Sequence, residues 1–305
     1  MVLERIKTLS LENYTETVFQ VLDIQSASEI VKHYASFYRV LFLPSSHPEA
    51  CITVRIKAKE FAYISLDTVQ TNLWHYAGYV HKRDKGRWLT ETPVPLKPQP
   101  WKEVAEVDSS LLANFSSTMN DLHELGNSSE AERLVLDGME VYGEYGNNLE
   151  QYNSFSVVSP EKTSQEFQFV CTLYKLAIDT FKEEQSVRIL ENIYGYLDLG
   201  LPLKIIGDNP YHIRMFGRLS TTYEEELKDF LNKISRDKPL LMDLNNFEGM
   251  GASLYPIFQR FLGCRQNIPT IWWTSSEARP HLEDLGILPC DIFDTYDEAI
   301  DRLNI

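Results

Sequence analysis

Seven histidines and four cysteines are the side chains best suited to bind a metal or act as nucleophiles, and their spacing supports neither role. His33, His47, His75, His81, His123, His212 and His281 form no HExxH pattern. Cys51, Cys171, Cys264 and Cys290 are far apart and make no CxxC pair. The chain has no GxxxxGKS/T phosphate loop and no GxGxxG turn. The acidic run Glu224, Glu225 and Glu226 opens a predicted helix, where carboxylates meet the positive end of the helix dipole and need no catalytic role. Asp137 and Asp243 flank apolar strands and would form an acid/base pair only if the fold brought them together. The pattern predicts no catalytic residues, no metal and no cofactor, hence a protein that is not an enzyme. Ser253 alone has a specific chemistry. A phosphate there would add about −1.5 to −2 charge beside the free N–H groups of a helix start. As a plain N-cap, its oxygen would instead accept from one of those N–H groups, and the residues leave both readings open.

The stretch that must position Ser253 runs from Pro239 to Phe261, PLLMDLNNFEGMGASLYPIFQRF. Leu240, Leu241, Met242 and Leu244 fit a short buried strand, and Gly249 and Gly251 predict a tight turn after it. Leu254, Ile257, Phe258 and Phe261 then recur at helical spacing, with Ser253 at the helix N-terminus. Pro256 is compatible with a first turn, whose N–H groups have no intrahelical partner. Phe247 and Met250 fall in the predicted glycine-rich loop from Asn245 to Ser253. Asn245, Phe247, Met250 and Ser253 are the candidate partner contacts, because apolar side chains on an exposed loop are available for docking.

This strand, turn and helix resemble the centre of the STAS domain, the sulphate-transporter and anti-sigma-factor-antagonist module. There an Asp-Leu strand leads through a short loop to a switch serine that opens a helix. Asp243-Leu244 matches the strand and Ser253 falls at the family's phosphoacceptor. The family's Asp-Ser-Ser-Gly is here Gly251-Ala252-Ser253-Leu254, lacking the acidic residue before the serine and the glycine after it. TSSEARPHLEDLGI and FDTYDEAIDRL also look like later segments of the family. The resemblance covers about a third of the chain, from about Leu201 to Ile305. It implies a protein partner such as an anti-sigma-type kinase or a transporter component.

The chain's 305 residues suffice for two domains, and its composition is that of a globular protein. A net charge of −15 without clustered Lys or Arg argues against nucleic acid as a partner. MVLERIKTLSLENY has neither a signal-peptide core nor an arginine-rich amphipathic pattern, and no run reaches membrane-spanning length. Widely spaced cysteines predict reduced thiols in a cytoplasmic protein, so the sequons at Asn13, Asn114 and Asn127 are chance matches.

Residues 1–199 read as an α+β domain of unknown function and 200–305 as a STAS-like α/β domain, a mixed sheet with helices. A Ser26–Glu29 capping box predicts a helix through Phe37, followed by strands over 38–43, 51–56 and 61–66. Pro93, Pro95, Pro98 and Pro100 predict a long loop or an edge segment carrying Trp88 and Trp101. A helix over 108–125 precedes strands over 134–142 and 155–158, joined by the loop GEYGNNLEQYN. Two helices follow, the first from Pro160. The elements Leu136-Asp137-Gly138 and Ser159-Pro160 are loosely similar to uncharacterised bacterial domains. From Leu201 the expected order is two strands, then helix and strand alternating to a final helix. The function expected is that of a regulatory or interaction protein docking a protein partner. The alternative is a toxin-neutralising or small-ligand-binding protein whose activity lies in the first domain.

Overall fold

Nearly continuous apolar runs such as Val40–Leu43 arise where a strand is covered on both faces, and each sheet of this protein has such a strand at its centre. The computed structural model describes residues 14–58, 61–84, 97–122, 138–148, 151–265 and 267–303. It is mixed α/β, and the chain divides into two units, Met1–Leu197 and Asp198–Ile305.

The first unit contains strands β1 Ser36–Pro44, β2 Ala50–Ala58, β3 Phe61–Val69, β4 Pro100–Glu106, β5 Met139–Asn148 and β6 Gln151–Val158. They form a six-stranded sheet of order β4-β3-β2-β1-β5-β6, antiparallel throughout. Its helices are α1 Tyr14–Val21, α2 Ala27–Ile30, α3 Leu73–Asp84, α4 Ser109–Asp121, α5 Gln165–Thr180 and α6 Glu184–Tyr196. On one face Val18 and Val21 of α1 and Leu73 and Tyr76 of α3 pack on Leu41, Leu43, Cys51 and Val69. On the other, Tyr38 meets Phe115 of α4 and Phe169 of α5. Phe155 crosses its β5 partner Gly143, where a Cβ would lie 2.1 Å from the ring, so only glycine admits that aromatic.

The second unit contains β7 Leu203–Asp208, β8 Tyr211–Leu219, β9 Leu240–Met250, β10 Thr270–Thr274 and β11 Ile292–Phe293. The sheet order is β11-β10-β9-β8-β7, with β7 antiparallel to β8 and the other pairs parallel. Helices α7 Glu224–Lys233, α8 Tyr255–Gly263 and α9 Arg279–Leu285 bring Leu227, Leu231, Phe258, Leu282 and Leu285 onto the face holding Leu240, Met242 and Leu244. The opposite face, with Leu241 and Ile271, is covered by Ala299 of α10, Tyr296–Leu303. From Leu240 to Leu244 the even and odd positions of β9 thus face opposite sides of the sheet, which is why this run does not alternate. No helix among the described residues is long and apolar enough to cross a membrane.

Several expectations are corrected. The Ser26–Glu29 box forms, with Ser26 N donating to Glu29 Oε2 at 2.9 Å, but α2 is one turn long and Phe37 is already in β1. GEYGNNLEQYN is not one long loop: 143–148 belong to β5 and 151–153 open β6, whose cross-strand pairing outweighs the glycines and asparagines, and 149–150 lie outside the described residues. The first of the two helices starts at Gln165 rather than Pro160, because Ser164 accepts from Phe167 N at 3.1 Å and sets the boundary. Thr274 and Glu277 read in the sequence as a capping pair for the next helix, but Thr274 ends β10 and the N-cap of α9 is Ala278. Helices α1 and α3 have no counterpart in the sequence reading. Pro100 opens β4 at the sheet edge, where a missing N–H is tolerated, and Trp101 is half-buried there. Trp88, Pro93, Pro95, Asp137 and the predicted strand start at 134–137 lie outside the described residues.

Candidate functional site

Ser253 lies in a 3₁₀ turn, Ala252–Leu254, between the end of β9 and the start of α8. Ala252 and Ser253 are exposed and Leu254 is buried. The N-cap of the turn is Gly251 and that of α8 is Leu254, and neither makes a side-chain capping bond. The expectation that Ser253 caps its helix is therefore corrected. The tight turn at its N-terminal side shifts the capping position to Leu254, and Pro256 occupies the first turn of α8, where no N–H is needed.

The predicted loop from Asn245 is also corrected. β9 continues through it to Met250, pairing Gly217 with Phe247 and Leu219 with Met250, and a register shift lies between Gly217 and Arg218. Gly249, at φ 140°, belongs to this bulged stretch rather than to a free turn. Phe247 is 2% exposed and Met250 8%, both inside the core of the unit, so neither is available as a partner contact. Register shifts against β8, between Arg214 and Phe216 and between Gly217 and Arg218, interrupt the alternation and bring both side chains to the inward face. Asn245 is half-buried, and its backbone N and Nδ2 donate to Asp243 Oδ1 at 3.1 and 3.0 Å. Of the four candidates, Ser253 alone is presented to solvent.

Beside the turn, α8 and α9 are joined by polar side chains that spacing alone did not single out. The Tyr255 hydroxyl lies 2.9 Å from His281 Nδ1 and donates to Asp284 Oδ2 at 3.3 Å. Burial, then the charge of Asp284 and the hydrogen bond to it, raise the Tyr255 pKa, so this hydroxyl is a weaker acid than free tyrosine. The other face of His281 meets Phe247, with ring centroids 5.9 Å apart. At Gly249 a Cβ would fall 2.6 Å from His281 Nε2, so the absence of a side chain lets the imidazole reach the strand. Their separation in sequence hides this grouping, and only the packing of α8 against α9 brings it together.

Asp243, on the opposite face of the sheet, is 1% exposed and its Oδ2 accepts from Arg214 Nε at 2.6 Å. His212 Nε2 is 3.8 Å from the same oxygen, and its ring stacks on Tyr296 at 5.9 Å. Burial raises the Asp243 pKa, but His212, the Arg214 guanidinium and the Asn245 donors outweigh it and hold the carboxyl below its usual value. That ionised, paired carboxylate is a structural anion rather than a proton donor. Among the described residues no group of three His, Cys, Asp or Glu could hold a metal ion.

Compared with known proteins, the chain matches no family model and no curated protein sequence.

One further charged pair lay unseen in the sequence. Arg39 of β1 is 2% exposed and its Nη1 donates to Glu144 Oε2 of β5 at 2.8 Å. An arginine inside the run FYRVLFLP was the available signal, since a charge at an inward strand position demands a partner.

Proposed function

We propose that the protein is a non-enzymatic regulatory or interaction protein whose second unit is a STAS-like module. It docks a protein partner through the turn carrying Ser253, and phosphorylation of Ser253 switches the contact. The observation that carries this reading is the exposure of Ala252 and Ser253 immediately after a buried central strand. Supporting it, the second unit runs two strands, then helix and strand alternately to a terminal helix, and Asp243-Leu244 lies in that central strand. With Phe247 and Met250 turned inward, the contact surface is polar. Exposed Glu248 and Thr222 accompany Ser253, and Thr221 adjoins Gly251. A phosphate would add about two negative charges to a surface already bearing a carboxylate, repelling an acidic partner face or recruiting a basic one. The partner is of the kinase or transporter-component kind that the resemblance implies.

The test is photo-crosslinking in cells from position 252, with position 301 on α10 as control. A protein crosslinked from 252, absent from 301 and lost in Ser253→Asp supports the reading. Equal yields from both positions refute the docking surface, and an unchanged yield in Ser253→Asp refutes the switch. The substitution itself should change stability by no more than about 0.5 kcal/mol, since an exposed side chain without a capping bond is replaced.

A further inference from the structure

A cavity of about 330 Å³ opens in the first unit between the segment from Phe19 to Val31 and strands β1, β5 and β6. Its size falls at the lower end of small-molecule sites. Phe19, Ile24, Val31 and Tyr152 supply apolar wall, and the Arg39–Glu144 pair lies at its base. The two partners differ in what they have left to offer. Each nitrogen of Arg39 already has an acceptor, three of its five N–H groups being used: Nε donates to Thr53 Oγ1 at 3.2 Å, Nη1 to Glu144 at 2.8 Å and Nη2 to Gln25 O at 2.7 Å. Its guanidinium also sits 5.4 Å from the Phe19 ring centroid and 5.7 Å from that of Phe37. Glu144 is not spent. Its side chain is 9% exposed, Oε2 takes the Arg39 bond, and among the described residues no protein donor reaches Oε1. Oε1 is therefore open to a donor entering the cavity that Glu144 lines.

We propose that this cavity binds a small organic amine, its ammonium donating to Glu144 Oε1 and its apolar body lying against Phe19, Ile24 and Tyr152. An ammonium makes the stronger, charge-assisted bond to a carboxylate, and aromatic rings beside it add cation–π attraction. The net charge of −15 favours approach of a cation over an anion. Phe19 and Tyr152 approach from two separate segments, so an aromatic or branched body is enclosed on more than one side. This site belongs to the first unit alone and does not depend on the reading of Ser253.

The experiment measures binding of phenethylammonium to the full chain by calorimetry and ligand-observed NMR, beside 2-phenylacetamide and phenylacetate, which share its ring. The expected result is saturable binding of the amine, about tenfold or more tighter than either comparison compound, since a charge-assisted bond exceeds a neutral one. Glu144→Gln should abolish the preference for the amine. Because it also removes the Arg39 counter-charge and can unfold the unit, Val31→Phe is the second variant. It fills the cavity from its half-buried rim without touching the ion pair, and should keep the native circular dichroism while losing the amine. The proposal is overturned if the amine does not bind at millimolar concentration, if the amide or the acid binds as well, or if folded Val31→Phe still binds.

Discussion

Gly249→Ala should destabilise the second unit by two separable effects, both readable from the local geometry. At φ 140° the backbone occupies a region that residues with a Cβ avoid, at a cost of about 1–3 kcal/mol. The new methyl would also fall 2.6 Å from His281 Nε2 and 3.1 Å from Cε1. The imidazole cannot swing aside freely, because Tyr255 holds Nδ1 at 2.9 Å and Phe247 packs against the ring. Forcing it to move costs about 1–3 kcal/mol, as overpacking does elsewhere. The sum is about 2–6 kcal/mol. A double-mutant cycle with His281→Ala separates the parts, because removing the ring abolishes the steric effect and leaves the backbone effect. Hydrogen exchange of amides across 240–250 reads the stability of this unit without interference from the other. The expected coupling between the two substitutions is about 1–3 kcal/mol, within the usual range for residues in contact. The reasoning fails if Gly249→Ala alone costs less than about 0.5 kcal/mol, or if its cost is the same with and without His281.

Met250→Lys should destabilise the second unit by about 3 kcal/mol or more, because an ammonium would enter the core around Leu254 and Phe258; a melting temperature equal to that of wild type would show that the side chain is not buried. The depressed Asp243 pKa makes a stabilising contribution that is complete above the unfolded carboxylate value of about 3.9 and is lost as pH falls through the lower folded value. Asp243→Asn should therefore cost on the order of 3 kcal/mol at pH 7 by breaking the buried ion pair with Arg214, and should flatten the acid limb of urea-denaturation midpoints plotted against pH. In a thiol titration with a disulfide reagent on native protein, Cys264 and Cys290 should react first. Burial pushes the Cys171 thiol up to about 11 and Cys51 to about 12, so Cys51 should react only on unfolding; four equally fast thiols would contradict this.

Elements whose periodicity served a single buried face could be read directly from the sequence. α5 carries Val170 and Tyr174 one turn apart, and α10 opens at the pair Thr295 and Glu298, where the Thr295 hydroxyl donates to Glu298 Oε2 at 2.8 Å. The alternation of strands and helices after Leu201 was visible for the same reason, since each helix covers the sheet with one apolar stripe. Local sequence could not decide what depends on pairing partners. The stretch from Asn245 to Met250 has the composition of a turn and became strand because the end of β8 lies alongside to bond it, and that pairing turned Phe247 and Met250 inward. In the same way the described residues of GEYGNNLEQYN became paired strand once β1 was available beside β5. The Arg39–Glu144 pair joins residues 105 positions apart, so its partner choice and the cavity above it exist only in the folded sheet. Side-chain periodicity is a local property of the chain, whereas hydrogen-bond register and charge pairing are set by whichever strand the tertiary structure brings alongside.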